Sequence, residues 1–288
     1  MRCNTILKRQ NEEKSIMMLA AQRQLYENAK FKNNIYSFIL LVGPVLFTIV
    51  STYFFQLKNL ITCYNYLMLL IFGLLGIFIE KSIEKDKKLA AFIQQKFDLY
   101  IYNMPWNKRI YGEDRDVTHE IVLYSKKILK NQSKKNKLSN WYTVGSSCKN
   151  STESILSCQK ENCYWDVELR KRFKFSSVIM GVILITIIFI ISIFNNDSVN
   201  NLISRLFLIL PILGWIFRTI FSLNENINSL IEVDTKLNTN TQKTFEDLED
   251  IQNAIYKHRQ VAYLIPDILY NFFRKEDEDT AHKRAEIS

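Results

Sequence analysis

Seven glycines and four prolines are few for a chain of 288 residues. Tight turns depend on such residues, so their scarcity points to long helices in the polar parts. Cysteine is sparse and odd in number: Cys3, Cys63, Cys148, Cys158 and Cys163. Five thiols do not make a secreted disulfide framework. Cys158 and Cys163 with Cys148 also make a poor zinc site, because the spacing is wrong and His119, His258 and His282 lie far off in sequence. Catalytic constellations are missing too. There is no glycine-rich phosphate loop, no paired-histidine motif and no nucleophile elbow, so neither an enzyme nor a resident cofactor is expected. Asp98 and Asp166 read as structural caps or ion-pair partners. No secretory signal is expected either, since the first apolar block follows a charged stretch of more than thirty residues.

What the chain does have is concentrated. Mean hydropathy is −0.08, a value typical of soluble proteins. The apolar residues nevertheless fall into four blocks, at 35–55, 60–79, 175–194 and 202–223. A bilayer core about 30 Å thick needs roughly 20 apolar helical residues, and backbone in lipid must satisfy its own hydrogen bonds. The four blocks are therefore read as transmembrane helices. The joints at 56–59 and 195–201 are too short to hold a domain, so the helices form two hairpins.

The basic residues set the orientation. Residues 1–34 hold seven Lys and Arg, 81–174 hold twenty and 224–288 hold eight, whereas the two short joints hold one, Lys58. Basic loops stay cytoplasmic. Both termini and the central segment are thus expected in the cytoplasm, with the chain multi-pass in an inner membrane. The expected fold is an all-α membrane protein of four transmembrane helices in two hairpins, a helical cytoplasmic segment between them and a helical C-terminal tail. Its divisions are a cytoplasmic amphipathic helix at 1–34, hairpins at 35–79 and 175–223, the cytoplasmic segment at 80–174 and the tail at 224–288.

No Asp or Glu lies deep in a block, which excludes the acidic ring of many cation channels. No inverted repeat points to a secondary transporter. The polar features inside the blocks are Pro44, Thr48, Asn65, Arg205, Pro211 and Arg218, the candidates for a pore or gate. Each has a plainer reading. The prolines kink helices, which either makes a hinge or eases packing. Thr48 and Asn65 can bond between helices. Arg218, near the cytoplasmic end, can snorkel to the headgroups, while Arg205 can line a wet vestibule.

In the polar parts, Met18, Ala21, Leu25 and Ala29 recur at helical spacing in 11–32, a face for the membrane surface or for the central segment. A charged helical stalk continues the second block to Pro105. Helix is expected over 116–129, an exposed loop over 131–140 and a helix over 158–174. The tail reads as one long helix over 224–263, with Leu230, Leu237, Leu248, Ile251 and Ile255 on its apolar face. That face could make an intersubunit coiled coil, although Thr241, Thr244 and several Asn weaken the heptad. Pro266-Asp267 then starts a short aromatic helix, and the last residues are charged.

Several clusters combine in order along the chain. They are Ile6 with Arg9-Gln10-Asn11; the run from Ala20 to Lys30; Phe92-Ile93-Gln94-Gln95-Lys96-Phe97-Asp98 with Met104-Pro105-Trp106-Asn107; Trp141-Tyr142; Cys158 to Asn162 with Trp165-Asp166 and Leu169-Arg170; and Ile251-Gln252 with Arg259 and Pro266-Asp267. This set resembles the S-4TM family of pore-forming effectors over nearly the whole length. It departs from the family pattern in the Lys/Asn-rich stretch 131–140. The resemblance implies bacterial antiphage defence: a membrane effector, silent until a cyclic oligonucleotide signals, that permeabilises the inner membrane and stops the infected cell.

A cyclic oligonucleotide presents phosphates and flat bases, so its binder needs Arg or Lys and aromatic rings. Trp141, Tyr142, Trp165, Arg170 and Arg172 supply these, with Gln159 and Asn162 as base-edge readers. The alternatives are that Trp165 anchors a core and that Arg170 and Arg172 only mark the cytoplasmic side of a span. Four spans are few for a conducting path, so a pore implies a homo-oligomer in the lipid bilayer. No nucleic acid polymer is expected as a partner. The competing function is a non-conducting membrane sensor or scaffold.

Overall fold

The computed structural model describes residues 3–54, 58–142, 151–163, 167–239 and 243–265. Among them every regular element is helical. Three helices are very long: α2 (Glu13–Phe54), α3 (Lys58–Tyr102) and α9 (Val199–Asn238), after a short α1 (Cys3–Gln10). At 1.5 Å per residue, α2 and α3 are each about 65 Å long, twice a bilayer core. The others are α4 (Lys108–Tyr111), α5 (Thr118–Lys130), α6 (Gln132–Asn136), α7 (Ser151–Cys163), α8 (Val167–Phe194) and α10 (Phe245–Val261).

A chain short of glycine ends its helices with asparagine. α3 stops at Asn103, with φ 58°, and the Met104 N–H bonds back to Leu99 O at 3.0 Å. α8 stops in the same way, with Asn196 at φ 49° and the Asp197 N–H on Ser192 O at 2.9 Å. Both are Schellman endings in which Asn takes the left-handed position. Starts are capped by short polar side chains. Asn107 takes the Arg109 N–H, Asn131 the Lys134 N–H and Asp116 the Thr118 N–H. Thr244 and Asp247 form a reciprocal capping box before α10.

The helices build two regions. In the first, α1, the first half of α2, the second half of α3, α5, α7, α10 and the end of α9 share one hydrophobic core. Leu19, Leu25, Ile93, Phe97, Ile128, Leu248 and Ile251 are fully buried there. Met18, Ala21, Leu25 and Ala29 all face inward, so the apolar stripe of α2 packs on protein. In the second region α2 pairs with α3 and α8 with α9, and their apolar side chains point outward. Phe38, Leu74, Phe78, Val182, Ile183, Phe194, Phe217 and Phe221 are all exposed. The segment Leu169–Phe194 contains an 18-residue window of mean hydropathy 2.9 and is the one stretch among the described residues long and apolar enough, by length and composition, to cross a membrane. The α2–α3 pair is tight where Gly76 lies under Tyr36: a Cβ there would collide with the tyrosine ring.

Two expectations are corrected. The long tail helix is broken: α9 ends at Asn238, and α10 starts after the capping box and folds back along α9. Asn238, Thr239 and Thr244 carry short polar side chains that favour local bonding over helix, which suits the break. Leu230, Leu237, Leu248, Ile251 and Ile255 are consequently buried within the chain, and no coiled-coil face is left over. The stretch 131–140 is not a plain loop, for it forms α6, buries Leu138 and docks Lys134 on Glu27 of α2. The helix expected over 158–174 is seen as α7 up to Cys163 and α8 from Val167, and residues 164–166 lie outside the described ones. The aromatic helix expected after Pro266 lies outside the described residues.

Candidate functional site

The first region is held by a buried polar network rather than by apolar contact alone. Asp98 of α3 is fully buried. Its Oδ2 accepts from Arg259 Nη1 at 2.6 Å and from Gln252 Nε2 at 3.1 Å, both on α10. Its Oδ1 accepts from the Tyr142 hydroxyl at 2.8 Å. Gln252 Nε2 also donates to Gln95 Oε1 at 2.9 Å, and Gln159 Nε2 of α7 donates to Leu248 O at 2.9 Å. The Gln10 side chain closes a pair of bonds with the Tyr142 backbone. Burial works against the Arg259 charge, but the Asp98 carboxylate, helped by Tyr142 and Tyr26, outweighs it and holds the guanidinium above its ordinary pKa. A buried pair of this kind fixes one arrangement of helices, because either partner alone would be a desolvated charge. Burial also pushes the Tyr102 and Tyr111 hydroxyls well up, so both stay protonated.

A second set of polar contacts rings the junction between the two regions. Lys32 of α2 meets Asp86 of α3 at 2.6 Å and Ser82 at 2.8 Å. Trp215 Nε1 of α9 donates to Ser37 Oγ of α2 at 3.1 Å. Arg218 of α9 pairs with Glu80 of α3, with both side chains about half exposed. Arg170 at the base of α8 donates to Tyr263 O at 3.0 Å, and Thr219 meets the Tyr263 hydroxyl at 3.1 Å. His258 Nδ1 lies 2.7 Å from Ser229 Oγ, which ties α10 to α9.

The sequence-selected ligand residues fall in different places. Tyr142 is buried against the rings of Phe97 and Tyr102. Gln159 is buried in the polar network, and Arg170 is buried at the junction with Arg172 half-exposed nearby in sequence. Trp141 alone lines an open cleft. Trp165 and the side chains of Asn162, Pro44, Thr48, Asn65, Arg205 and Pro211 lie outside the described residues.

Clefts open on the first region, three of them lined by described residues. One, of about 420 Å³, lies between the Met104–Tyr111 turn and α10. A second, of about 680 Å³, is walled by Arg9, Lys14, Lys96, Tyr100 and Trp106. Its cations already have partners: Lys14 Nζ sits 3.4 Å from the Tyr100 ring centroid, Arg9 donates to Tyr100 O, and Lys96 meets Asp114 at 2.5 Å. The third, of about 660 Å³, runs along α2 from Gln22 to Asn34 and is closed by Gln94, Lys134 and Trp141. Glu27 there accepts from Lys134 at 2.7 Å and from Arg23 at 3.4 Å. Burial pushes the Tyr26 phenol beside it to about 12. All three volumes fall in the range of small-molecule sites, roughly 300–1,000 Å³. Arg23, Lys30 and Lys134 were absent from the sequence-selected set. The signal for them is positional: Arg23 and Lys30 flank the apolar stripe of α2, and only the docking of α6 brings Lys134 alongside.

A helical core beside helices with exposed apolar faces, with polar contacts between, suits a membrane-associated helical protein. The chain belongs to the SMODS-associating 4TM effector domain family, whose model matches residues 4–287. It is similar to a probable CBASS effector molecule of Bacillus cereus (strain VD146), 25% identical over 286 residues that cover 95% of each chain. No solved structure matches it. The family membership places the chain among membrane effectors of antiphage defence.

Proposed function

We propose that this protein is a four-span effector of the inner membrane that opens a path through the bilayer, as a homo-oligomer, when a cyclic oligonucleotide reaches its cytoplasmic core. The observation that carries the reading is the continuity of α2, α3 and α9. Each runs unbroken from the buried core into the region of outward-facing apolar side chains. Outward apolar surface on this scale is unstable in water and stable in lipid. A shift of the core that separates these helices is transmitted along rigid rods to the apolar ends. Both termini are cytoplasmic in this arrangement, in keeping with the basic loops. The protein acts by conformational change and not by catalysis. Pro44, Thr48, Asn65, Arg205, Pro211 and Arg218 are its pore or gate residues.

The test is membrane potential in cells that express this chain with and without a co-expressed cyclic-oligonucleotide synthase. Rapid depolarisation with the synthase alone is expected. An unchanged potential, with the protein confirmed in the membrane, would refute the pore and favour a non-conducting scaffold.

A further inference from the structure

The α2 cleft shares a wall of α2, three cations against one carboxylate and an aromatic ring with the cleft around Tyr100, and adds an unpartnered buried carbonyl that neither neighbour has in its lining. Its wall is a helix that continues without interruption to Phe54, so whatever binds here touches an element of the apolar region directly. Three cations, Arg23, Lys30 and Lys134, line it against one carboxylate, Glu27. Trp141 offers a ring, and the turn that carries it is anchored below by the Tyr142 hydroxyl on Asp98. Gln22, also in the lining, is 3% exposed, and its Oε1 has no hydrogen-bond partner among the described residues. A buried carbonyl oxygen left unpaired is costly, so a turn of the Gln22 side chain that brings Oε1 to a ligand N–H at the cleft wall is favoured.

From this geometry we infer that the α2 cleft binds a phosphodiester-linked nucleotide, with Lys134 and Arg23 on phosphate, Trp141 stacked on a base and Gln22 Oε1 accepting from a base N–H. The inference rests on the nucleotide-triggered reading above and locates its trigger. Glu27 occupies the anion's place in the empty cleft, holding Lys134 and Arg23 as a phosphate would. Ligand binding exchanges that carboxylate for phosphate. The direct Lys134–Glu27 pair is then replaced by a bridge through the ligand, which resets how α6 bears on α2. The ring and the unpartnered carbonyl select a nucleotide over a simple phosphate headgroup, which has neither a flat face nor an N–H edge.

The experiment is calorimetric titration of the full-length chain in phosphatidylcholine nanodiscs with cyclic di-GMP, cyclic di-AMP, cyclic GMP–AMP and cyclic tri-AMP. Lys134→Glu and Trp141→Ala are each expected to weaken binding of the preferred compound by more than about tenfold, the scale of a lost charge-assisted bond or stacking platform. Glu27→Gln removes the internal competitor and is expected to tighten binding by about threefold or more. Lys14→Glu, in the neighbouring basic cleft, is expected to bind as the wild type does. The tightening keeps the test decisive, since a misfolded variant does not gain affinity. Wild-type binding by Lys134→Glu and Trp141→Ala would overturn this cleft while leaving a nucleotide trigger intact. An equal loss in Lys14→Glu would reduce the effect to general charge and overturn it as well. A wild-type chain that binds none of the four compounds would overturn the trigger and the cleft together.

Discussion

The two regions of this molecule obey opposite rules with the same helices. In the core, α2 buries Leu19 and Leu25, and α3 buries Ile93 and Phe97. Farther along, α2 turns Phe38 outward and α3 turns Leu74 and Phe78 outward. Charge follows the reverse pattern. The core encloses Asp98 and Arg259, whereas the junction keeps Arg218 and Glu80 half-exposed. Water drives apolar groups inward only where water is the solvent. A rod that is inside-in at one end and inside-out at the other is what the proposed passage from water into lipid would require. The ring of contacts from Lys32–Asp86 to Trp215–Ser37 sits between those two ends.

The comparison breaks most severely at the core. Asp98→Ala leaves Arg259 buried without its carboxylate and Gln252 and Tyr142 without an acceptor. The expected cost is about 3–5 kcal/mol, read as a lower unfolding midpoint in detergent. Paired replacement by Asp98→Leu and Arg259→Met should recover most of it, since an apolar pair of similar volume leaves no orphaned charge. If the single variant is as stable as wild type, the network does not lock α10 to α3.

The outward-facing region answers to a different solvent. Ile183 of α8 is 51% exposed. If that face meets lipid, Ile183→Arg costs about 2.5–3.5 kcal/mol of insertion and lowers the membrane-inserted fraction in a translocon assay. In water the same exposed substitution would be nearly silent. Full insertion of the variant would show that Ile183 faces a wet or protein surface.

The sequence carried the helical class well, because long apolar blocks and regular spacing are local signals. Met18, Ala21, Leu25 and Ala29 announced an apolar face for the membrane surface or for the central segment, and the face packs on protein. Asp98 read as a structural partner and is one. What stayed hidden depended on contacts between distant segments. The fold-back of α10 turns on a capping box that an apolar count overlooks, and it converts a supposed coiled-coil face into core. Tyr142 and Gln159 carry groups that suit a ligand and equally suit a buried network; only their neighbours decide between the two. Lys134 lies 107 residues from Glu27, so no spacing rule connects them.

The smallest expected effect tests the junction itself. Lys87 of α3 lies just beyond the apolar region, and burial lowers its ammonium from 10.5 to about 8; Arg170 adds to the effect, while Glu84 and Glu225 oppose it. Below about pH 8 the amine is protonated in both folded and unfolded chains, and the folded state bears the full cost of the charge. Between about pH 8 and 10.5 the unfolded chain keeps a proton that the folded chain has lost, so this residue makes stability rise with pH across that window. Lys87→Met abolishes the cost. It should stabilise the protein by about 1–2 kcal/mol at neutral pH, allowing for water that reaches the side chain, and its advantage should shrink as pH climbs toward about 9.5. Thermal unfolding of both proteins across that range measures the difference. An advantage that does not change with pH would show that Lys87 gives up no proton on folding, and that the change of solvent begins farther along α3 than this residue.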